Sequence, residues 1–352
     1  MLIYIHPSIN NLRFSFTIIF FLSCAICTAQ TIGGNAVYNF LKLPATPMLT
    51  ATGGVNTSYH NNDVGVSLNN PSLLKSNLHG QINFSFNGLP GGIKAYSAGG
   101  AYHHTKSNAT FGAGVFFIDY GSTPQTDAAG NVSGNFRPVD FALQLSAAKK
   151  YLEKWSYGAT IKFIYSGYSQ YSSNAIAVDA GVLYDDTAAQ FSISFLAQNM
   201  GMQLKSYAGE KEDLPFDMQL GFTKRLAKAP LGFSVTAQSI HRFNILYNDT
   251  LFNNDNGTSA NNSFLPKLFL HFVIATHIYL GPHLEAAIGY NHLRRSELQL
   301  PGGGSGLAGF STGLRLKFNK LEVQFARSGY ASTIAYNQLG ITVNVQKLIS
   351  PL

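Results

Sequence analysis

From residue 81 onward the chain alternates apolar residues with small or polar ones at a period of two. In "QINFSF", Ile82, Phe84 and Phe86 take one face, and Gln81, Asn83 and Ser85 the other. "DFALQLSA" sets Phe141, Leu143 and Leu145 against Asp140, Ala142, Gln144 and Ser146. "SYGATIKFIY" sets Tyr157, Ala159, Ile161, Phe163 and Tyr165 against Ser156, Gly158, Thr160 and Lys162. Successive side chains of a strand point to opposite faces, so this period predicts β-strands. Fourteen stretches qualify: 80–88, 94–103, 109–118, 139–148, 155–165, 174–184, 190–199, 216–225, 230–240, 268–279, 283–291, 308–318, 320–329 and 337–346. Most have the roughly nine to eleven residues of a tilted strand crossing a bilayer.

The links between these stretches alternate in length. The even-numbered ones are short: "HHTKSN", "KKYLEK", "DDTAA", "KRLAKAP", "LGP" and "NK". The odd-numbered ones are mostly longer, as at 119–138, 201–215, 241–267 and 291–307. Outer-membrane barrels have short periplasmic turns and long external loops. A soluble sandwich gives no reason for such segregation, and its Phe- and Tyr-rich outer faces would aggregate in water.

Composition agrees. Of the 352 residues, 45% are hydrophobic and only 12% charged, about half the usual share of roughly 25%. The apolar residues are dispersed, and no run past the N-terminus approaches the ~20 needed for a spanning helix. The net charge of +7 comes without a Lys/Arg stripe or a groove-reading motif, which excludes a nucleic-acid partner.

The first residues resemble a signal peptide. Arg13 precedes the apolar run "FSFTIIFFLSCAICTA", and Cys27, Thr28 and Ala29 offer small residues for cleavage. Residues 1–29 are therefore expected to be removed, and the mature chain to start near Gln30. An uncleaved anchor, or a lipoprotein box at Leu22-Ser23-Cys24, are the alternatives. Both cysteines, Cys24 and Cys27, fall in this segment. The mature chain then has no disulfide, no thiolate ligand and no cysteine nucleophile. Residues 30–79, rich in Gly, Asn and Pro, are expected to form a plug-like segment in the lumen or against its mouth. Residues 80–347 are expected to form the barrel.

Candidate chemistry is sparse. Ser72 and Lys75 in "LNNPSLLK" have the S-x-x-K spacing of penicillin-recognising enzymes, but S-D-N and K-T-G elements are missing. A second such pair, Ser146 and Lys149, shows how cheaply the pattern arises. The stretch reads better as Asn70 and Pro71 starting a short helix, with Leu73 and Leu74 packed inward and Lys75 solvated. His103-His104, and His271 with His277, come without H-E-x-x-H or a completing carboxylate. His241 and Asn244 fall near a rim, and "GGGSG" reads as a flexible loop. Asp185-Asp186, Glu210, Glu212 and Asp213 read as solvated loop charge. No catalytic residue, cofactor or metal site is expected, and the chain reads as a non-enzyme. The long loop from Arg242 to Pro266 is the better candidate, with Tyr247, Leu251, Phe252 and Phe264 as partner-docking residues.

Several stretches together resemble a family. "FLKLPATPMLTATGG" followed by "VSLNNPSLL" is similar to the N-terminal pattern of the PorV/PorQ family of the Bacteroidetes type IX secretion system. "LPFDMQLGFTKRLAKAPLGFSVTAQSIHRFNI", "GYNHLRRSEL" and "GLAGFSTGLRLKFNKLEVQFARSGY" look most like its PorQ branch. The closing "VNVQKLISPL" departs from the terminal Phe or Tyr common among outer-membrane barrels. The resemblance implies a FadL-like, all-β, fourteen-stranded outer-membrane barrel embedded in outer-membrane lipid. It further implies an anchor for a PorZ-like surface protein beside a PorU/PorV-like attachment complex. The alternative expectation is a FadL-type channel for hydrophobic solutes, with an apolar pocket leading to an opening in the barrel wall.

Overall fold

The computed structural model describes residues 36–59, 62–127, 129–245, 264–298, 306–330 and 334–349. Sixteen strands occur among them. They are β1 Gln81–Gly88, β2 Lys94–His104, β3 Ala109–Asp119, β4 Thr123–Thr126, β5 Val132–Phe136, β6 Val139–Tyr151, β7 Trp155–Tyr168 and β8 Tyr171–Asp186. There follow β9 Phe191–Lys205, β10 Asp217–Arg225, β11 Leu231–Ala237, β12 Phe272–Leu280, β13 Leu284–Asn291, β14 Phe310–Lys317, β15 Leu321–Gly329 and β16 Ala335–Asn344. All but β4 and β5 form one closed antiparallel barrel, a ring of fourteen. The ring closes where β1 meets β16, from Gln81 opposite Asn344 to Gly88 opposite Asn337.

Each expected stretch is a strand of this ring. The link 119–138 is not plain loop: β4 and β5 form an exposed hairpin within it. Nor is the link after β7 long. Tyr168 pairs with Tyr171 across a two-residue turn, with Ser169 in the left-handed region. The strands from β6 to β9 have 13, 14, 16 and 15 residues, more than expected, and make one side of the wall taller.

The alternation resolves as read. Phe84, Leu145 and Ile161 face outward and are 56%, 68% and 65% exposed, while Ser146, Thr160 and Lys162 face the lumen and are buried. Such outward apolar residues recur on the barrel strands, and an apolar wall of this extent is stable only in lipid. A closed ring leaves no unpaired edge there. Among the described residues no helix is long and apolar enough to span.

The lumen is filled by the chain before β1. It enters at the long-link end, where Val37 N donates to Asp213 O at 3.0 Å, and it leaves at the turn end into β1. On the way it forms 3-10 turns at Asn39–Lys42, Pro71–Leu73 and Ser76–Leu78, with helices α1 (Pro47–Ala51) and α2 (Val64–Asn69) between. Thr46 precedes Pro47 as N-cap, and Asp63 caps α2 by accepting from Gly65 N. Met48, Leu49, Tyr59, Val66 and Leu73 pack with Leu183, Ala287 and Ala326 of the wall. Glycines of the wall make room: a Cβ at Gly158 would strike the backbone of Pro71, and one at Gly289 that of Thr52 and Gly53. Residues 1–29, the expected signal peptide, lie outside the described residues.

Candidate functional site

The two ends of the lumen differ. At the long-link end the plug stops short of the rim, leaving a cup of about 550 Å3. Val37, Tyr38, Asn39 and Phe40 form its plug side; Tyr120, Asp140, Ser166, Tyr168, Tyr171 and Tyr207 complete it. Each tyrosine has a structural reason to be there. Tyr38 adopts a left-handed backbone (φ 56°) that turns its ring toward the wall, where its hydroxyl hydrogen-bonds Ser173. Phe40 stacks on Phe116 of β3, centroids 6.2 Å apart. Tyr120 directly follows β3, Tyr168 and Tyr171 flank the β7–β8 turn, and Tyr207 lies in the link after β9. The rings of Tyr120 and Tyr168, and those of Tyr168 and Tyr207, sit 6.0 Å apart. Such tilted arrangements are the favoured geometry of aromatic clusters.

Asp140 is at the base of this ring set. Tyr120 donates its hydroxyl to Asp140 Oδ2 at 2.6 Å, and Ser166 donates to Oδ1. Burial pushes the phenols of Tyr120 and Tyr207 well above the ordinary tyrosine range, and the Asp140 hydrogen bond adds to the rise at Tyr120. Both stay protonated as donors. A drug-sized concave site usually combines apolar and aromatic walls with a few placed polar groups, and the cup has that make-up.

Below the cup the lumen is closed by a network of ions and hydrogen bonds between plug and wall. Tyr59 donates to Glu285; Arg315 Nη1 lies 3.5 Å from the same carboxylate, and Lys317 Nζ 3.4 Å. Arg315 also reaches Glu322 through Nε at 2.8 Å and Nη2 at 2.5 Å. Gln324 donates to Asp63 and Gln338 accepts from Thr50, each at 2.5 Å. Asn70 donates to Ser194 Oγ at 2.8 Å. Paired in this way, buried charges and amides avoid the cost of unmet polar groups.

Gly99 and Gly114 face inward, and Leu68 of α2 covers them from the lumen. From β1 through β2 and β3 to β6 the ladders pair without a register shift. The register shifts of the barrel fall between β8 and β9, where Asp179 accepts from Asn199 N at 2.8 Å and pairs with Lys162 at 2.7 Å. The expected lateral opening is therefore not found in these segments.

Three comparisons bear on this geometry. No protein-family model and no curated protein sequence matches the chain. Solved structures do. The Pseudomonas putida toluene transporter TodX superposes over 86% of this chain and 97% of its own, at 13% identity and TM-score 0.50. A deltaS2 mutant of TodX, described as a monoaromatic hydrocarbon channel, covers 86% and 98% at 13% identity and TM-score 0.51. A Pseudomonas aeruginosa FadL homologue covers 85% and 98% at 10% identity and TM-score 0.47. The fold is FadL-like.

Within that FadL-like frame the residues singled out from the sequence fall as follows. Ser72 is fully buried and donates to Asn70 Oδ1 at 2.8 Å, turned to its own cap rather than to a base. Lys75 is not simply solvated: its Nζ pairs with Asp185 Oδ2 at 2.6 Å, and Lys154 pairs likewise with Asp186. His277 lies in the lumen, 2.9 Å from Ser234 Oγ and stacked on Tyr59. His271 shares its face and is bonded to the carbonyl of Gln238. Among the described residues no His, Cys, Asp or Glu group is arranged to hold a metal ion. Tyr247, Leu251 and Phe252 lie outside the described residues. Phe264 opens helix α3 (Phe264–Phe269), is 62% exposed and stacks on Phe243, centroids 5.3 Å apart.

The cup itself escaped the sequence reading. Apart from Tyr168 and Tyr171, which share a hairpin, its tyrosines lie far apart in the chain and converge only through the barrel. One signal was present: Tyr120, Tyr168, Tyr171 and Tyr207 all adjoin links at the same end.

Proposed function

We propose that this protein is an outer-membrane barrel for small hydrophobic solutes, captured in the tyrosine-lined cup at its external mouth. The observation that carries the reading is the cup: about 550 Å3 of largely aromatic concavity above a lumen filled by the plug. Its placement at the long-link end puts it outside the cell. The likeness to TodX supports a solute in the class of monoaromatic hydrocarbons. Capture and release need no bond making, so the protein acts as a carrier and not as an enzyme. Solute passing beyond the cup requires the plug to shift, because Tyr59, Asp63 and Asn70 hold it to the wall. Uptake of radiolabelled toluene by a deletion strain, by its complemented parent and by a Phe40→Asp strain tests this. Deletion and Phe40→Asp should each lower initial uptake several-fold; equal rates in all three would sink it.

A second reading has its own support. A plugged barrel with exposed aromatic residues at the rim, Phe243, Phe264 and Phe269, suits an anchor that passes nothing. With the PorQ-like stretches this favours attachment of a PorZ-like surface protein beside a PorU/PorV-like complex. Crosslinking in cells followed by co-purification decides between the two. Capture of such a surface protein, with toluene uptake unchanged by deletion, selects the anchor.

A further inference from the structure

Among the residues lining the mouth cup, Asp140 alone carries a formal charge. It is 4% exposed and has no ion-pair partner among the described residues. Its two oxygens accept only the hydroxyls of Tyr120 and Ser166. Neutral donors ease the cost of burying a carboxylate but leave its charge unmet. Several buried carboxylates of this lumen meet cations: Asp179 has Lys162, while Glu285 and Glu322 share Arg315. Asp63, fully buried, meets only the neutral donors Gly65 N, Gln324 and Thr342. Asp140 likewise meets only neutral donors, and it sits where the lumen opens.

The wall around it points the same way. Five tyrosines and Phe40 line the cup. The faces of such rings carry negative potential and attract cations, most strongly when water is excluded. A carboxylate without a counter-ion, inside a set of aromatic rings, is complementary to a positive charge on an apolar body. Neutral hydrocarbons gain nothing from Asp140, and anions are repelled by it. A hydrated metal ion needs several oxygen ligands, and no such cluster is present among the described residues.

We infer that the cup binds organic cations, aryl- or alkylammonium compounds, with the ammonium group against Asp140 and the tyrosine rings and the apolar body against Val37 and Phe40. This rests on the cup being the solute site and names the chemical class it selects.

Two probes of nearly the same shape test it: phenyltrimethylammonium and its uncharged isostere tert-butylbenzene. Binding is measured by calorimetry on the full-length protein in a neutral maltoside detergent, with heat-modifiable gel mobility as the check of folding. The cation should bind at least about tenfold more tightly than the isostere, the scale of a desolvated cation–π contact. Asp140→Asn should remove that preference, the two probes then binding with similar affinity. Tyr207→Leu, outside the barrel strands, keeps apolar area but removes a ring, and should weaken the cation about threefold or more relative to the isostere. Equal or tighter binding of tert-butylbenzene overturns the cation assignment and leaves hydrophobic-solute capture standing. Failure of both probes to bind overturns both. Full cation preference in folded Asp140→Asn, or in Tyr207→Leu if the first variant does not fold, also overturns the assignment.

Discussion

Lys75 Nζ lies 2.6 Å from Asp185 Oδ2, tying the last turn of the plug to the end of β8. That contact accounts for the lysine of the S-x-x-K stretch, while Ser72 is held by Asn70. Ser72→Ala should therefore leave solute uptake unchanged and cost about 1 kcal/mol of stability, the worth of one intramolecular hydrogen bond. Lys75→Ala should cost no more than about 1 kcal/mol, since the pair is partly solvated. Thermal melting beside the uptake assay checks both; lost uptake in a folded Ser72→Ala barrel would contradict the capping role.

Plug seating depends on wall residues that lack a side chain. Gly289 faces the backbone of Thr52 and Gly53, which cannot yield as a flexible side chain can. Gly289→Val is expected to displace α1 while the strands still pair. Planar-bilayer recordings should show larger or more frequent conductance steps than the parent, and cells should become more sensitive to large antibiotics. A parent-like, silent barrel would argue that the plug tolerates the intrusion.

Arg315 is fully buried between Glu285 and Glu322. Arg315→Met removes the cation that two carboxylates share, and breaking a buried pair from one side costs about 3–5 kcal/mol. The double variant Arg315→Met with Glu322→Leu should recover part of that loss. Melting temperatures of parent, single and double variants measure it. A double variant no more stable than the single one would indicate that Glu285, not Glu322, dominates the cluster.

His241, in the link after β11, has its pKa lowered to about 4 by burial first, and then by Arg242 and His271. A histidine depressed in the fold favours the neutral form there. Its contribution is intact above the unfolded value of about 6.5 and is lost as pH falls from there towards 4. Because the ring is only partly buried, solvent screening holds the loss to roughly 1 kcal/mol. Protection factors of residues 239–245, with exchange rates corrected for their intrinsic pH dependence, should fall between pH 7 and pH 4.5 in the parent, and not in His241→Gln. An equal fall in both would place the titrating group elsewhere.

Local pattern made the wall legible. Strand boundaries followed from alternation because lipid outside and a polar lumen inside impose opposite demands on successive residues. β14 could be read from Leu314 and Leu316 against Ser311 and Gly313 without any long-range knowledge. The β7–β8 turn was missed because Ser169 and Gln170 carry none of the usual Asn-Gly chemistry of tight hairpins. Glu285, Arg315 and Glu322 look unremarkable in sequence, and only cross-strand register stacks them under Tyr59. Asp140 was placed on the correct face, yet its lack of a cation is invisible until every neighbour is known.

What the sequence by itself determined is the barrel: strand number, facing and the end that bears the long links. These are properties of residues adjacent in the chain, set by side-chain period and turn length. Only the tertiary structure decided that the chain before β1 threads and closes the lumen, and that Tyr38, Tyr120, Asp140, Tyr168, Tyr171 and Tyr207 form one cup. Those relationships join residues far apart in sequence, and ring closure with plug seating brings them together.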